Sequence, residues 1–335
     1  MRMRESELLT QLLHTVIGYW RSQVLFTVHE LGVFDFLSEG GRAAEEIVGH
    51  CGTAFAHTER LLNAAAALRL LKKEGERFDN TPVAEAFLVR SSPQYMGHWI
   101  RLMGRWYRTW SGLKQMVQTG EAVEDSQDHL GADPNYTRNF ILAMHEYARG
   151  PGKEMVNHVD LSGRRLLLDL AGGPGTYALM LAQKYPDLRA VVFDLPAVVE
   201  ITREVIESYG LSDRVSTRAG DYMISDFGAG YEVVLMSNML TQENPESTKK
   251  LLRRVYDAMA RGGLLIVQGM FLNAAKDGPA WPALQSLMLS LVYQNGRGYS
   301  HDETQALLVE AGFSSPRVKR MSLFNAESLV VAAKT

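Results

Sequence analysis

The chain has 335 residues, a formal net charge of −3 and one cysteine, Cys51. The length predicts two domains, and 46% hydrophobic with 22% charged residues is a globular composition, not a collagen-like, disordered or coiled-coil one. A lone cysteine excludes a disulfide framework, a CxxC redox pair and a cysteine-rich zinc site and fits a reducing cytoplasm, while the slight acidity supplies no field for nucleic acid or an anionic membrane.

The first residues are basic but include Glu5 and Glu7 and lack an apolar core with a cleavage site, so no signal peptide is predicted. Leu8, Leu9, Leu12, Leu13 and Ile17 recur at helical spacing, and Val24, Leu25, Val28, Leu31 and Val33 continue into Phe34 and Phe36. Residues 43–48 and 54–71 predict two further helices, and 70–78 a short hairpin. Three helices and a hairpin are the order of a winged-helix unit. A charged, glycine-containing loop (120–134) precedes a helix over 136–149, and Gly150-Pro151-Gly152 predicts a break.

Beyond Arg164 the pattern alternates. Strands are predicted at 165–171, 190–195, 215–219, 231–236 and 264–268, with helices at 175–185, 197–209 and 245–260. That is the signature of a parallel, doubly wound α/β sheet. Residues 278–296 are uncharged, but prolines and glycines interrupt them, which predicts a buried amphipathic helix rather than a membrane span. A helix over 302–312 precedes strands at 317–322 and 328–332, too close in sequence to pair other than antiparallel.

The run Asp169-Leu170-Ala171-Gly172-Gly173-Pro174-Gly175 ends a buried strand in a glycine turn that opens a helix. Such a turn lets a ligand approach the backbone, and the helix start favours electron-rich groups. Asp169 would repel a pyrophosphate but suits an ammonium group. That points to S-adenosylmethionine, which carries an amino acid, a sulfonium and a ribose but no phosphate, and no GxxxxGK[ST] run competes. Asp194, at the end of the second strand, can take both ribose hydroxyls; the plainer alternative is a helix cap. Asp221-Tyr222-Met223 follows the third strand, where the acid can accept from the adenine amino group and its neighbours cover the ring. Gly220-Asp221 alone is only a turn, but three stations at successive strand ends reinforce one another.

Further short motifs complete a series: Val24-Leu25-Phe26 with Glu30-Leu31-Gly32-Val33-Phe34-Asp35, Phe140 with Ala143-Met144, Ser237-Asn238-Met239-Leu240, Gly262-Gly263, Asn295-Gly296-Arg297 and Glu310-Ala311-Gly312-Phe313. With the three stations, they make the chain resemble the plant-type small-molecule O-methyltransferases, the group of caffeate, hydroxyindole and many bacterial natural-product enzymes. The resemblance implies a seven-stranded class I methyltransferase (Rossmann-like) sheet over 161–335. It implies a winged-helix dimerisation domain over 1–100, a connector over 101–160 lining the substrate site, and a homodimer with interlocked N-terminal regions. It also implies S-adenosyl-L-methionine as donor, S-adenosyl-L-homocysteine as product and a small aromatic acceptor. The cofactor residues would be Asp169, Gly172, Gly173, Gly175, Asp194, Leu195, Asp221, Tyr222, Ser237 and Asn238. In that family the winged helix does not bind DNA. Accordingly, the predicted recognition helix offers only His57, Arg60 and Arg69 as contacts.

The chain departs from the family at the chemistry. Thr241 stands where the family has its histidine base, and Gln268 and Gly298 stand where it has two supporting acids. Threonine has no pKa near neutrality and cannot serve as the usual base. Ionising a phenol at pH 7 costs roughly 4 kcal/mol, whereas holding the reactants in line contributes about 7–11 kcal/mol. Transfer to an acidic hydroxyl, a nitrogen or a carbon therefore needs no histidine. Substitute bases are His145 and Glu243, each of which also has an ordinary structural reading. No grouping has metal-ligand spacing.

Met103, Trp106 and Tyr107 share one helical face. With Phe140, Met144 and Met288 they are the candidate wall of a flat apolar pocket, the alternative being core or dimer interface. Two other readings remain: a different reaction on the same cofactor-binding scaffold, and a ligand-sensing winged-helix regulator.

Overall fold

The computed structural model describes residues 5–321 and 327–335, so the predicted strand end at Ser322 lies outside the described residues. The opening leucine repeat forms α1 (Glu5–Val16) and α2 (Gly18–Glu30). No residue of α1 is buried, and Leu8, Leu9, Leu12 and Leu13 are half exposed. The chain continues through α3 (Val33–Leu37), β1 (Arg42–Ala43), α4 (Ala44–Cys51), α5 (Phe55–Ala67), β2 (Leu71–Glu74), β3 (Arg77–Asn80) and α6 (Pro82–Phe87). β3 pairs antiparallel with both β1 and β2, and the β2–β3 turn uses Gly75 at φ 61°. Val28, Phe34, Leu37, Ile47, Leu62 and Phe78 are sealed in the core between them. This first unit is Met1–Tyr107, and the second is Arg108–Thr335; the division falls inside α7 (Gly97–Trp110). Gly97, Leu102 and Thr109 are the buried positions of α7. Met103 and Trp106 are only partly buried, and exposed Tyr107 stacks on Tyr19 at 6.3 Å between ring centres.

In the second unit, α8 (Leu113–Thr119) and a π-helical turn (Asp128–Ala132) precede the long α9 (Pro134–His158). The break expected at Gly150-Pro151-Gly152 does not occur, for α9 runs straight through it. Tertiary packing overrides the local signal: Pro151 and Gly152 are buried, and a Cβ on Gly152 would stand 2.6 Å from Met180 Sδ. The small residue lets α9 press close against the neighbouring helix.

The alternating region folds as β4 (Leu166–Leu170), α10 (Thr176–Lys184), β5 (Arg189–Asp194), α11 (Pro196–Ser208), β6 (Val215–Ala219), β7 (Tyr231–Ser237), a 3-10 turn (Leu240–Gln242), α12 (Pro245–Ala258) and β8 (Met259–Met270). Then come α13 (Ala280–Val292), α14 (His301–Glu310), β9 (Ser314–Arg320) and β10 (Glu327–Ala333). The sheet order is β6-β5-β4-β7-β8-β10-β9. β4 to β8 run parallel, and β10 lies antiparallel between β8 and β9, so the sheet is mixed. β8 starts earlier than expected because Gly262, at φ 72°, and Gly263 are carried through a register shift instead of ending the strand. Ser300 caps α14: its hydroxyl accepts from Glu303 N, and Glu303 answers to Ser300 N.

The apolar runs of the central strands are buried on both faces, as parallel sheets require. Leu168, Leu170, Val234 and Met236 pack on the α12–α14 side. Leu167, Val192, Val233 and Leu235 pack on the α9–α11 side.

Candidate active site

The carboxyl ends of β4, β5 and β7, with the segment after β6, open on one cavity of about 430 Å³. Parallel strands leave their loops at this end, where open α/β sheets bind ligands. The turn Ala171–Gly173 forms one wall. A Cβ on Gly172 would lie 2.6 Å from Asp169 Cγ and 2.8 Å from Val192 Cγ1, so only glycine fits. Gly175 starts α10 with φ 72°, also against Val192, and does not line the cavity.

Asp169 is placed behind the turn instead of on the cavity wall. It is fully buried, and burial, reinforced by the Asp194 charge, pushes its pKa up to about 7 against the pull of the Ala178 backbone N–H. Asp194 does line the cavity. Its Oδ2 accepts from Gly173 N at 2.7 Å and its Oδ1 from Leu195 N at 2.7 Å. It therefore ties the glycine turn to the start of α11, capping and lining at once. Burial raises its pKa to about 6 against the pull of these two bonds. Asp221 accepts from Met223 N at 2.7 Å. Its loop is clamped from α12 by Arg254, which donates to the carbonyls of Tyr222 and, at 2.5 Å, of Ser225.

Tyr222 donates to Glu243 Oε1 at 2.9 Å, and both line the cavity. Burial and then the Glu243 charge push this phenol far up. Thr241 turns away: its hydroxyl donates to Asn238 O at 3.0 Å and it is absent from the lining. His145 likewise faces elsewhere, with Nδ1 2.8 Å from Thr176 Oγ1 and its ring edge-on to Tyr209. Gly298 leaves no room for an acid, since a Cβ would meet Leu272 and Ser286 within 3.0 Å.

Phe140, Met144, Tyr147 and Ala148 of α9 line the cavity, as do Ser237 and Asn238. Met288 is buried on α13 and does not line it; Met103, Trp106 and Tyr107 belong to the first unit. Ser126, Gln127 and Leu130, around the π-helical turn, close one side. Near them buried His129 meets the hydroxyl of Tyr293, another lining residue, at 2.8 Å. Periodicity could not have found the turn, since Gly131 at φ 139° breaks any helical pattern.

Asn238 holds φ 51°, a conformation asparagine tolerates better than most residues. Behind it is a chain of buried polar groups. Ser237 Oγ and Asn238 Nδ2 donate to Gln268 Oε1 at 2.5 and 3.1 Å, and Gln268 Nε2 donates to Glu327 Oε2 at 2.8 Å. Tyr147 Oη donates to Glu327 Oε1 at 2.6 Å. Sequence reasoning missed Tyr147 and Glu327. The signal for Glu327 was a carboxylate opening the otherwise apolar Glu327-Ser328-Leu329-Val330-Val331.

Three carboxylates (Asp194, Asp221 and Glu243) line the cavity, with no Lys, Arg or His among the lining residues. Such walls reject phosphates and fit a sulfonium. Among the described residues no group of three His, Cys, Asp or Glu could hold a metal ion, and no helix is long and apolar enough to cross a membrane.

Residues 114–314 match the family model of the O-methyltransferase domain, and 13–90 that of the O-methyltransferase dimerisation domain. The chain belongs to the O-methyltransferase family. It is 30% identical over 331 residues to the N,N-dimethyltransferase OxyT of Streptomyces rimosus, covering 96% of each chain. It is 29% identical to the 3-hydroxy-5-methyl-1-naphthoate 3-O-methyltransferase of Streptomyces sahachiroi, over 97% of this chain and 95% of that one. Human N-acetylserotonin methyltransferase in complex with SAM superposes with a TM-score of 0.90 at 26% identity, over 100% of this chain and 99% of the other. The O-methyltransferase sheet is thus the class I methyltransferase sheet, and the chain is an S-adenosylmethionine-dependent methyltransferase.

Proposed function

We propose that this methyltransferase acts on a small aromatic acceptor seated between the α9 face and Asn238, without the family's histidine. The observation that carries this is the lining of the cavity, where the glycine turn, Asp194, Leu195, Asp221 and Tyr222 meet the apolar and aromatic Phe140, Met144 and Tyr147. The first group would hold the donor: Gly172 and Gly173 admit it to the backbone, Asp194 accepts from the ribose, and Asp221 and Tyr222 enclose the adenine. When bound, the donor supplies a methyl group on a sulfonium whose leaving group is a neutral thioether. The chain supplies alignment, which accounts for most of the barrier reduction such a displacement needs.

A nitrogen acceptor is a second reading, favoured by the missing histidine and by the N,N-dimethyl transfer in the name of OxyT. In this reading residues 1–100 dimerise, 101–160 connect, 161–335 hold the donor, and the enzyme works as a homodimer in the cytoplasm. The match to a dimerisation domain and the exposed leucines of α1 support the dimer. The test is release of S-adenosylhomocysteine from a panel of phenols and aromatic amines. Production with at least one aromatic acceptor is expected; donor binding with no transfer to any aromatic acceptor sinks the reading.

A further inference from the structure

Gln268 of β8 meets a carboxylate brought in by the neighbouring strand. Glu327 opens β10, is 1% exposed, and is paired in register with Met270 of β8. It accepts two hydrogen bonds from opposite sides. One comes from the Gln268 amide and the other from Tyr147, whose ring stands in the cavity wall.

We propose that Tyr147 and Glu327 form the proton path of the acceptor. Tyr147 Oη takes the acceptor's proton while passing its own to the Glu327 carboxylate. This rests on the methyl-transfer reading. The acceptor O–H bond breaks as its oxygen takes the methyl carbon and the donor's carbon–sulfur bond breaks. The electron pair of that bond leaves on the neutral thioether. The products are the methyl ether, S-adenosylhomocysteine and a protonated Glu327. Once product leaves, the proton returns through Tyr147 to water in the cavity. Tyr147 is the catalytic residue, because it faces the acceptor, and Glu327 acts through it.

Glu327 has a second task that needs no titration. A carboxylate only accepts, so Gln268 must turn its NH2 toward it and its oxygen toward Ser237 and Asn238. The Asn238 amide is then committed as donor to Gln268. One buried charge thus fixes the polarity of three side chains.

The groups around Glu327 are consistent with a proton acceptor. Burial raises its pKa to about 7, the bonds from Tyr147 and Gln268 pull it down, and Glu154 of α9 raises it. Its charge is also felt by Tyr177 of α10.

The experiment uses the full chain with S-adenosylmethionine and three probes: 1-naphthol, un-ionised at neutral pH; 4-nitrophenol, largely ionised at pH 8; and 1-naphthylamine, which needs no base. For 1-naphthol, Y147F and E327Q should each lower kcat about 100-fold, while 4-nitrophenol changes by less than about threefold. The 1-naphthol rate should rise with pH through about 7, and that limb should vanish in E327Q. An infrared titration needs no acceptor. A carboxylic-acid band should be lost in E327Q, and its midpoint should move upward in Y147F, where the donor favouring the carboxylate is gone. Equal losses on both phenols, an unmoved midpoint in Y147F, or donor binding without transfer to either phenol overturns the relay. Transfer to 1-naphthylamine alone does so while leaving the methyltransferase reading intact.

Discussion

At the scale of single residues, the two acids at the ends of β4 and β5 divide the labour. Asp169 is a buried support under Gly172, while Asp194 meets both the turn and the cavity. Asp194→Asn keeps the shape but replaces an acceptor-only group with an amide that cannot serve Gly173 N, Leu195 N and a ribose alike. Hydrogen bonds to a charged group contribute about 1.5–3 kcal/mol each, so S-adenosylhomocysteine affinity should fall at least about tenfold. Isothermal calorimetry measures this, and an unchanged affinity removes Asp194 from the donor site. Asp194 was legible because its partners are backbone groups fixed by the glycine turn. The committed hydroxyl of Thr241 was not legible, since a three-residue 3-10 turn leaves no period in the sequence. Tyr147 escaped notice because it lies on the α9 face already accounted for by Phe140 and Met144, and its partner is remote in sequence.

At the scale of elements, strand and helix patterns were read to within a few residues because two-sided burial writes them as apolar runs. β6 spans Val215–Ala219 as expected, and β5 differs by one residue at each end. What failed was punctuation. Gly150-Pro151-Gly152 and Gly262-Gly263 look like stops, yet one permits close helix packing and the other a bulge. Propensity describes an isolated segment, and packing decides among the conformations it allows. The loop that carries Asp221 shows the same dependence, because Arg254 of α12 holds it by two carbonyls. Arg254→Met would lose the clamp together with the guanidinium's stacking over Phe227. Donor affinity should drop about three- to tenfold, with helix content unchanged by circular dichroism. A variant that binds as the parent does would show that the loop holds its shape unaided.

At the scale of the whole molecule, three acids retain protons on folding. Asp169 and Glu327 are raised to about 7 and Asp194 to about 6, in each case first by burial. Between an unfolded carboxylate pKa near 4 and these values, the folded chain binds more protons than the unfolded one, so their contribution to stability falls as pH rises through that window. Glu327 alone would cost about 2–4 kcal/mol by pH 8. The melting temperature of the ligand-free protein should therefore drop between pH 5 and 8, and drop less in Glu327→Gln; equal drops by calorimetry would contradict the assignment. Oligomeric state is the other property at this scale. Leu12 and Leu13 are 59% and 49% exposed on α1, more than a free surface normally leaves in one patch. Replacing both by Glu should shift the protein from dimer to monomer in light scattering, and a persistent dimer would move the contact elsewhere. The division into two units falls inside α7, where no loop composition marks it. The order of the last strands was not legible either, because a hairpin fixes which strands pair but not which of them enters the sheet.

That strand order also leaves β9 at an edge of the sheet among the described residues. An unpaired edge invites another chain to add a strand, and charge or proline on it discourages this. β9 carries Pro316 and the exposed Arg317, Lys319 and Arg320. The strand that shields β10, and with it the buried Glu327, is thus armoured against aggregation.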